Sequence, residues 1–357
     1  MRSMWTTSLA LLLQLTQLVA VADGSGMTDR LAASSPASSP LTRLLEAELS
    51  RLPSRSGIYI KHLGSGEEAS VRGDEQFESA STIKIAVMVL AYRMAERKQL
   101  DLDERYVIKP ADYRGGSGIF KHHDPGMNPT LRDVITQMII TSDNTATDIM
   151  IAKVGGKEQV NRFLREAGYQ VLRQNNTTLE FFRLRFEALD PKYKQLQPED
   201  IFALTNDVPL FVEPRRALLR EVAERSAAKD AIQRMSAVWD PQENWFGWAT
   251  PREMARLLES IELGTAASRQ SCDEMKRILR AQQAGTMKIP HYLTVPVGHK
   301  TGETGTVTND AGMIYARSGT IIISFYNMNL AGPRAEVEDG MGRIARMVVD
   351  YFDGKRR

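Results

Sequence analysis

Ser81 and Lys84 stand three residues apart at the start of an apolar run. That run extends from Ile83 to Leu90 and continues through Tyr92, Met94 and Ala95 to Glu96-Arg97-Lys98. It reads as a buried helix whose first turn carries the serine. Positions i and i+3 share a helix face, about 5–6 Å apart at Cβ. A hydroxyl and an amine so placed can share a proton. The free N–H groups and the positive end of the helix dipole lie beside the serine. These residue types at this spacing suit a serine nucleophile activated by an unprotonated lysine. A second Ser-x-x-Lys, Ser226 to Lys229, sits among Arg220, Glu221, Glu224, Arg225 and Asp230 and reads as a solvated helix face.

Two further elements follow in order, Ser142-Asp143-Asn144 and Lys300-Thr301-Gly302. Alone, the first reads as a capping turn, because all three residue types favour caps. The Ser-Lys pair before it and the Lys-Thr-Gly element after it reverse that reading. In this order the three elements resemble the class A β-lactamase and penicillin-binding-protein superfamily. The set is an established signature of that superfamily. The flanks carry the likeness further: Ala80 before Ser81, Thr145-Ala146 after Asn144, Thr250-Pro251-Arg252-Glu253-Met254-Ala255-Arg256-Leu257-Leu258, His299 before Lys300, and Asn309-Asp310-Ala311-Gly312. The similarity covers residues 41–175 and 248–352.

The resemblance implies an α+β fold, with an antiparallel sheet flanked by helices and built from both chain ends. An all-helical lobe, residues 85–285, is inserted between its halves. It further implies an exported serine hydrolase that opens the β-lactam ring through a Ser81 acyl-enzyme. The alternative is a penicillin-binding or D-alanyl-D-alanine-peptidase-like protein, or another serine acyl hydrolase, with little β-lactam turnover. A non-catalytic binding protein on this fold is disfavoured by the intact motif set. By the same analogy Lys84 takes the Ser81 proton and must be neutral to do so. Lys300 is the cation that lowers its pKa and holds the substrate carboxylate. Ser142 relays a proton to the leaving nitrogen, and Asn144 bonds the substrate side-chain amide. The N–H groups of Ser81 and Glu303 form the oxyanion hole, and Thr301 and Gly302 belong to the substrate-binding element. Glu303 places an acidic side chain where an anionic substrate docks. The glutamate that would activate a deacylating water has no clear place: Glu180, Glu187, Glu199 and Glu243 are candidates, or none is.

The elements that position these groups follow from periodicity. Leu44, Leu45, Leu49 and Leu52 give helical spacing over residues 41–52. Residues 57–63 read as a strand, 64–66 as a turn and 69–71 as its partner. Thr130 and Asp133 cap a helix with Leu131, Val134, Ile135, Met138 and Ile139 on one face. The stretch 175–247 is atypical, with helical material at 216–223 and the aromatics Trp239, Trp245, Phe246 and Trp248. Aromatics of this kind more often pack than form a substrate platform, although they could form a lid. Thr250 caps a helix with Pro251 at its first position. Residues 271–283 read as another helix, 294–300, 309–316 and 320–325 as strands, and 337–352 as a closing amphipathic helix.

Of the 357 residues, 42% are hydrophobic and 25% charged, values of a globular protein. A net charge of +2 with no basic stripe gives no reason to expect nucleic acid. Residues 1–22 read as a secretory signal, with Arg2, an apolar core from Leu9 to Val19, and Ala20-Val21-Ala22 as the cleavage site. Secretion or a periplasmic location is the expectation. Residues 23–40 are a Ser/Pro-rich linker, and 41–353 the catalytic domain. Cys272, the only cysteine, stands beside carboxylates and reads as structural. His122-His123-Asp124 lacks partners at ligand spacing, so neither a metal nor another cofactor is expected. Gly115-Gly116-Ser117-Gly118 reads as a turn and not a phosphate loop. His299 should point away from Lys300 along a strand. The expected partner is a small molecule, a β-lactam or an acyl-D-Ala-D-Ala peptide, acted on by a monomer.

Overall fold

The computed structural model describes residues 39–206 and 215–354. The expected signal segment and nearly all of the linker fall outside the described residues.

The chain opens with α1 (Pro40–Leu49), β1 (Arg55–His62), β2 (Glu68–Val71) and β3 (Phe77–Glu78). A single 3₁₀ turn, Ala80–Ile83, leads into α2 (Lys84–Glu96). Then come α3 (Leu131–Ile140), α4 (Asn144–Lys153), α5 (Lys157–Glu166), β4 (Arg173–Gln174), α6 (Thr178–Glu187) and α7 (Pro198–Asn206). They are followed by α8 (Arg216–Ser226), α9 (Lys229–Ala237), β5 (Gly247–Ala249), α10 (Pro251–Glu262) and α11 (Arg269–Arg280). The chain closes with β6 (Val297–Thr304), β7 (Val307–Ala316), β8 (Gly319–Met328) and α12 (Arg334–Gly354).

Five strands form one antiparallel sheet in the order β2-β1-β8-β7-β6. Both chain ends build it, and the helices between β2 and β6 form the inserted lobe, as expected. Alternation along β8 explains its unbroken apolar run. Ile321, Ile323 and Phe325 enter the core beneath α1 and α12, whereas Ile322 and Tyr326 enter the core shared with the helical lobe. Helices cover both faces, so both sets are buried. A second, three-stranded sheet, β3-β5-β4, has no counterpart in the sequence expectations.

Residues 84–92 of α2 are all buried. A helix apolar on every side belongs inside a protein. Its start is later than the sequence suggests: Ser81 lies in the 3₁₀ turn, and the α-helix begins at Lys84. The α3 cap is as expected, with Thr130 Oγ1 accepting from Asp133 N and Asp133 bonding back to Thr130 N. His122 and His123 are exposed, and among the described residues no group of three His, Cys, Asp or Glu could hold a metal.

Asp148 joins α4 to the start of α6. Its carboxylate accepts N–H bonds from Thr178 (2.7 Å) and Leu179 (3.0 Å) and pairs with Arg114 Nε at 2.6 Å, with both side chains buried. Charged acceptors of this kind are worth about 1.5–3 kcal/mol each when a partner is lost. Asp148→Asn should therefore lower unfolding stability by about 2 kcal/mol, read as a shifted urea midpoint. An unmoved midpoint would show that Arg114 finds another partner.

Candidate active site

The turn that carries Ser81 is fastened from three sides. Thr82 Oγ1 donates to Ser79 O (2.7 Å) and shares a 2.8 Å hydrogen bond with Tyr326 OH. Asn309 Nδ2 donates to Glu78 O (2.8 Å) and reaches Ser79 O (3.3 Å). Ser79 N donates to Gly247 O (2.8 Å). Ala80, just before the serine, is held at φ +43°. A non-glycine residue there carries strain of roughly 1–3 kcal/mol, which only a well-anchored turn sustains.

Ser142 stands in the tight turn between α3 and α4, at φ +57°. Asp143 holds that turn: Oδ1 accepts Ala146 N and caps α4, and Oδ2 accepts Ile119 N and Phe120 N, all at 2.8 Å. The glycine-containing loop before it is thereby docked onto the site. Gly118, at φ +113°, leaves only 2.4 Å between a built Cβ and the Asp143 carboxyl carbon, so a side chain there would collide. Asn144 N donates to Ser117 O (3.0 Å), and Asn144 Nδ2 to Gly115 O (2.8 Å).

Lys84 is fully buried, and its Nζ meets three oxygens: Ser142 O at 2.7 Å, Asn144 Oδ1 at 2.9 Å and Ser142 Oγ at 3.2 Å. These match the three protons of an ammonium group. Burial pushes its pKa down to about 7, against smaller opposing pulls from Asp143 and Asp148. The carbonyl of Ser142 and Asn144 Oδ1 can only accept, so they retain two N–H groups when the amine is neutral. The Ser142 hydroxyl alone can reverse and donate. The arrangement can therefore pass a proton between Lys84 and Ser142.

Lys300, on β6, is also fully buried and donates to Thr301 O at 2.7 Å. Burial, and then repulsion from Lys84, hold its pKa well below the ordinary 10.5. Gly302 runs against the nucleophile turn: a Cβ there would lie 2.8 Å from Ser79 O and 3.0 Å from Ser81 N. Thr301 alternates to the opposite side of β6, its methyl 2.3 Å from where a Cβ on Gly285 would sit. Glu303 is ion-paired to buried Lys288 (2.7 Å) and to Arg334 (3.7 Å); burial pushes its pKa up, but Lys288, then Arg334 and Lys300, together draw it below the usual range. His299 points away from Lys300, as a strand requires, and lies 2.8 Å from Asp310.

A cleft of about 430 Å³ opens over this group, lined by Ser81, Asn144, Glu303, Thr178, Arg185 and the aromatics Phe181, Phe182, Trp239 and Phe246, among others. The structure thus brings Lys84, Ser142 and Asn144 into direct contact and places Ser81, Asn144 and Glu303 on one cavity. Ser142, Lys84, Lys300, Thr301 and Gly302 are not among the cleft's lining residues. Glu303 is the only carboxylate that lines it among the described residues. None of the four glutamate candidates does. Glu180 closes a capping box with Thr177 and is bound by Lys157 at 2.9 and 3.0 Å.

Three contributors escaped the sequence reading. Thr178 presents a buried hydroxyl without a hydrogen-bond partner to the cleft wall. Arg185 reaches the same cleft from α6. Glu78, buried behind the wall, accepts from Thr304 Oγ1 (3.1 Å) and Phe246 N (3.4 Å), and burial lifts its pKa to about 7. None of the three gave a local sequence signal: Glu78, three residues before Ser81, stands in a polar segment with Asp74, Glu75 and Gln76.

Comparison with known proteins places this geometry in a family. The sequence is 30% identical to β-lactamase L2 of Stenotrophomonas maltophilia over 197 residues, 55% of this chain and 61% of that enzyme, which is less than two thirds of its length. The fold matches the crystal structure of a β-lactamase from Sphaerobacter thermophilus with a TM-score of 0.65 and 25% identity, covering 88% of this chain and 97% of that one. It also matches the structure of PBP-A with a TM-score of 0.65 and 23% identity, covering 88% and 96%, a likeness of fold alone. A sequence model described as the beta-lactamase enzyme family matches residues 40–352, and the chain belongs to that family.

Proposed function

We propose that the protein is an exported serine hydrolase that opens β-lactam rings through an acyl-enzyme on Ser81. The observation that carries this reading is the buried amine of Lys84, which follows the cleft-lining Ser81 by three residues and meets the Ser142 hydroxyl. In the first step Ser81 Oγ bonds to the lactam carbonyl carbon, and its proton passes by way of the Ser142 hydroxyl to neutral Lys84. The tetrahedral oxyanion is held by the N–H groups of Ser81 and Glu303, each such donor being worth about 2.7–4 kcal/mol. The C–N bond then breaks, and the proton passes from Lys84 through Ser142 to the leaving nitrogen. Water later cleaves the ester and restores the serine. Lys300 supplies positive potential for the substrate carboxylate.

A second reading keeps acylation and slows release, and one observation favours it: no carboxylate free of ion pairs lines the cleft among the described residues. On that reading the protein is a penicillin-binding or peptidase-like acyl hydrolase. One experiment separates the two. The mature protein is mixed with a chromogenic β-lactam while product and intact mass are followed together. Rapid turnover lost in Ser81→Ala supports the first reading, and a stable adduct of one acyl group supports the second. Turnover that survives Ser81→Ala would sink both.

A further inference from the structure

Arg185 differs from two other arginines of the helical lobe, Arg114 and Arg225. Arg114 pairs with Asp148, and Arg225 with Asp190 and Glu221. Arg185 has no ion pair and no hydrogen-bond acceptor among the described residues, and its Nε is shielded from solvent and unpartnered. Arg173 shares that lack but does not line the Ser81 cleft, whereas Arg185 does. Its guanidinium stands over the Trp239 ring, 5.3 Å from the ring centre, a contact that supplies no hydrogen-bond acceptor to its N–H groups. Burial lowers its pKa. A partly desolvated cation without an anion is unfavourable unless something arrives to pair with it.

The wall beside it is aromatic. Phe181 stacks on Trp239 at 4.7 Å with 5° between the planes, and Phe246 meets Phe181 edge-on at 5.9 Å. Trp239 Nε1 is likewise buried without an acceptor. The cleft therefore offers an aromatic wall with the unpaired guanidinium of Arg185 beside it. The carboxylate of Glu303, which also lines the cleft, is already paired with Lys288 and Arg334 and does not compete for Arg185.

We propose that Arg185 and the Phe181–Trp239 wall form a subsite for a substrate side chain that is aromatic and bears a carboxylate. This rests on the acyl-transfer reading of Ser81 and adds the substrate class to it. The aromatic group packs against that wall, and the terminal N–H groups of the guanidinium take the carboxylate.

The test compares two penicillins with the same phenyl side chain, one carrying a carboxylate on the side-chain α-carbon and one without it. Acylation of the full mature chain is followed by intact mass. The carboxylated compound should react about tenfold faster or more, the worth of a charge-assisted hydrogen bond, and Arg185→Gln should bring the ratio close to one. Equal rates in the wild type, or an unchanged ratio in Arg185→Gln, would overturn the subsite. A second readout does not need the reaction: phenylmalonate should quench Trp fluorescence in Ser81→Ala, with roughly tenfold weaker binding once Arg185→Gln is added. Phenylmalonate binding lost with Arg185 while neither penicillin acylates Ser81 would support the subsite and reject the acyl-transfer reading. Phenylmalonate binding indifferent to Arg185 would reject the subsite whatever the penicillins do.

Discussion

Lys84→Met is expected to reduce acylation by β-lactams about 10²–10⁴-fold, the usual contribution of a positioned general base. Methionine fills nearly the same volume, so the apolar core around α2 should survive. The variant loses a donor to Ser142 O and another to Asn144 Oδ1, and it also removes a buried charge. Those two effects oppose each other, so stability should move far less than activity.

The pH dependence has a definite sign. A base with a pKa of about 7 is neutral in about a tenth of molecules at pH 6 and nine tenths at pH 8. Acylation by the wild type should rise with pH through about 7 and level off above it, and the residual activity of Lys84→Met should lack that limb. Glu78 ionises over the same range, so Glu78→Gln is the control, and the limb should persist in it. A limb lost with Glu78 and kept without Lys84 would reassign the base. Stability gives an independent sign. The folded pKa of Lys84 lies below its ordinary 10.5, so between those values the unfolded chain binds a proton that the folded one does not. Wild-type stability should therefore gain on Lys84→Met as pH rises from about 7 to 10.5.

The turns on which the proposed chemistry is placed were legible because short motifs mark turns, and turns have strict residue demands. Thr130 and Asp133, or Ser142-Asp143-Asn144, announce their places in the chain through the hydrogen bonds they make. The long strands were legible through period 2: residues 57–63 were expected and Arg55–His62 is found. The small sheet was not, because β3 and β4 are two residues long and β5 three, too short for any period to register. The start of α2 was placed three residues early, since a 3₁₀ turn and an α-helix share the same apolar spacing over so few positions. In 175–247 the sequence offered packing or a platform as alternatives for the aromatics. Trp239 packs, stacking on Phe181, and is also among the residues that line the cleft. The role of Glu180 was readable in principle: Thr177-x-x-Glu180 has capping-box spacing. What no local pattern carries is the convergence of α6, the loop after α9 and the end of β6 around Ser81.

Gly302→Ala should lower acylation by about 10²–10³-fold, comparable to deleting one oxyanion-hole donor. The reason is one of space and not of backbone freedom, because Gly302 lies within a regular strand. A methyl there would sit 2.8 Å from Ser79 O, 3.0 Å from Ser81 N and 3.1 Å from Ala80 Cβ. Two of these are backbone atoms of the turn, and Thr82, Asn309 and the Ser79–Gly247 bond prevent that turn from yielding. The strand must yield instead. β6 is the edge of its sheet, bonded only to β7, so it can shift outward without unravelling the core. Overpacking of this sort lowers stability by about 1–3 kcal/mol. The displacement also carries Glu303 N, one of the two proposed oxyanion donors, away from Ser81. Binding and chemistry should therefore separate: the variant should remain folded, and the loss should fall on the acylation step more than on affinity. Gly302→Ser should behave like Gly302→Ala or worse. Full acylation rates in Gly302→Ala would mean that β6 relaxes without moving the oxyanion hole, and that the second donor lies elsewhere.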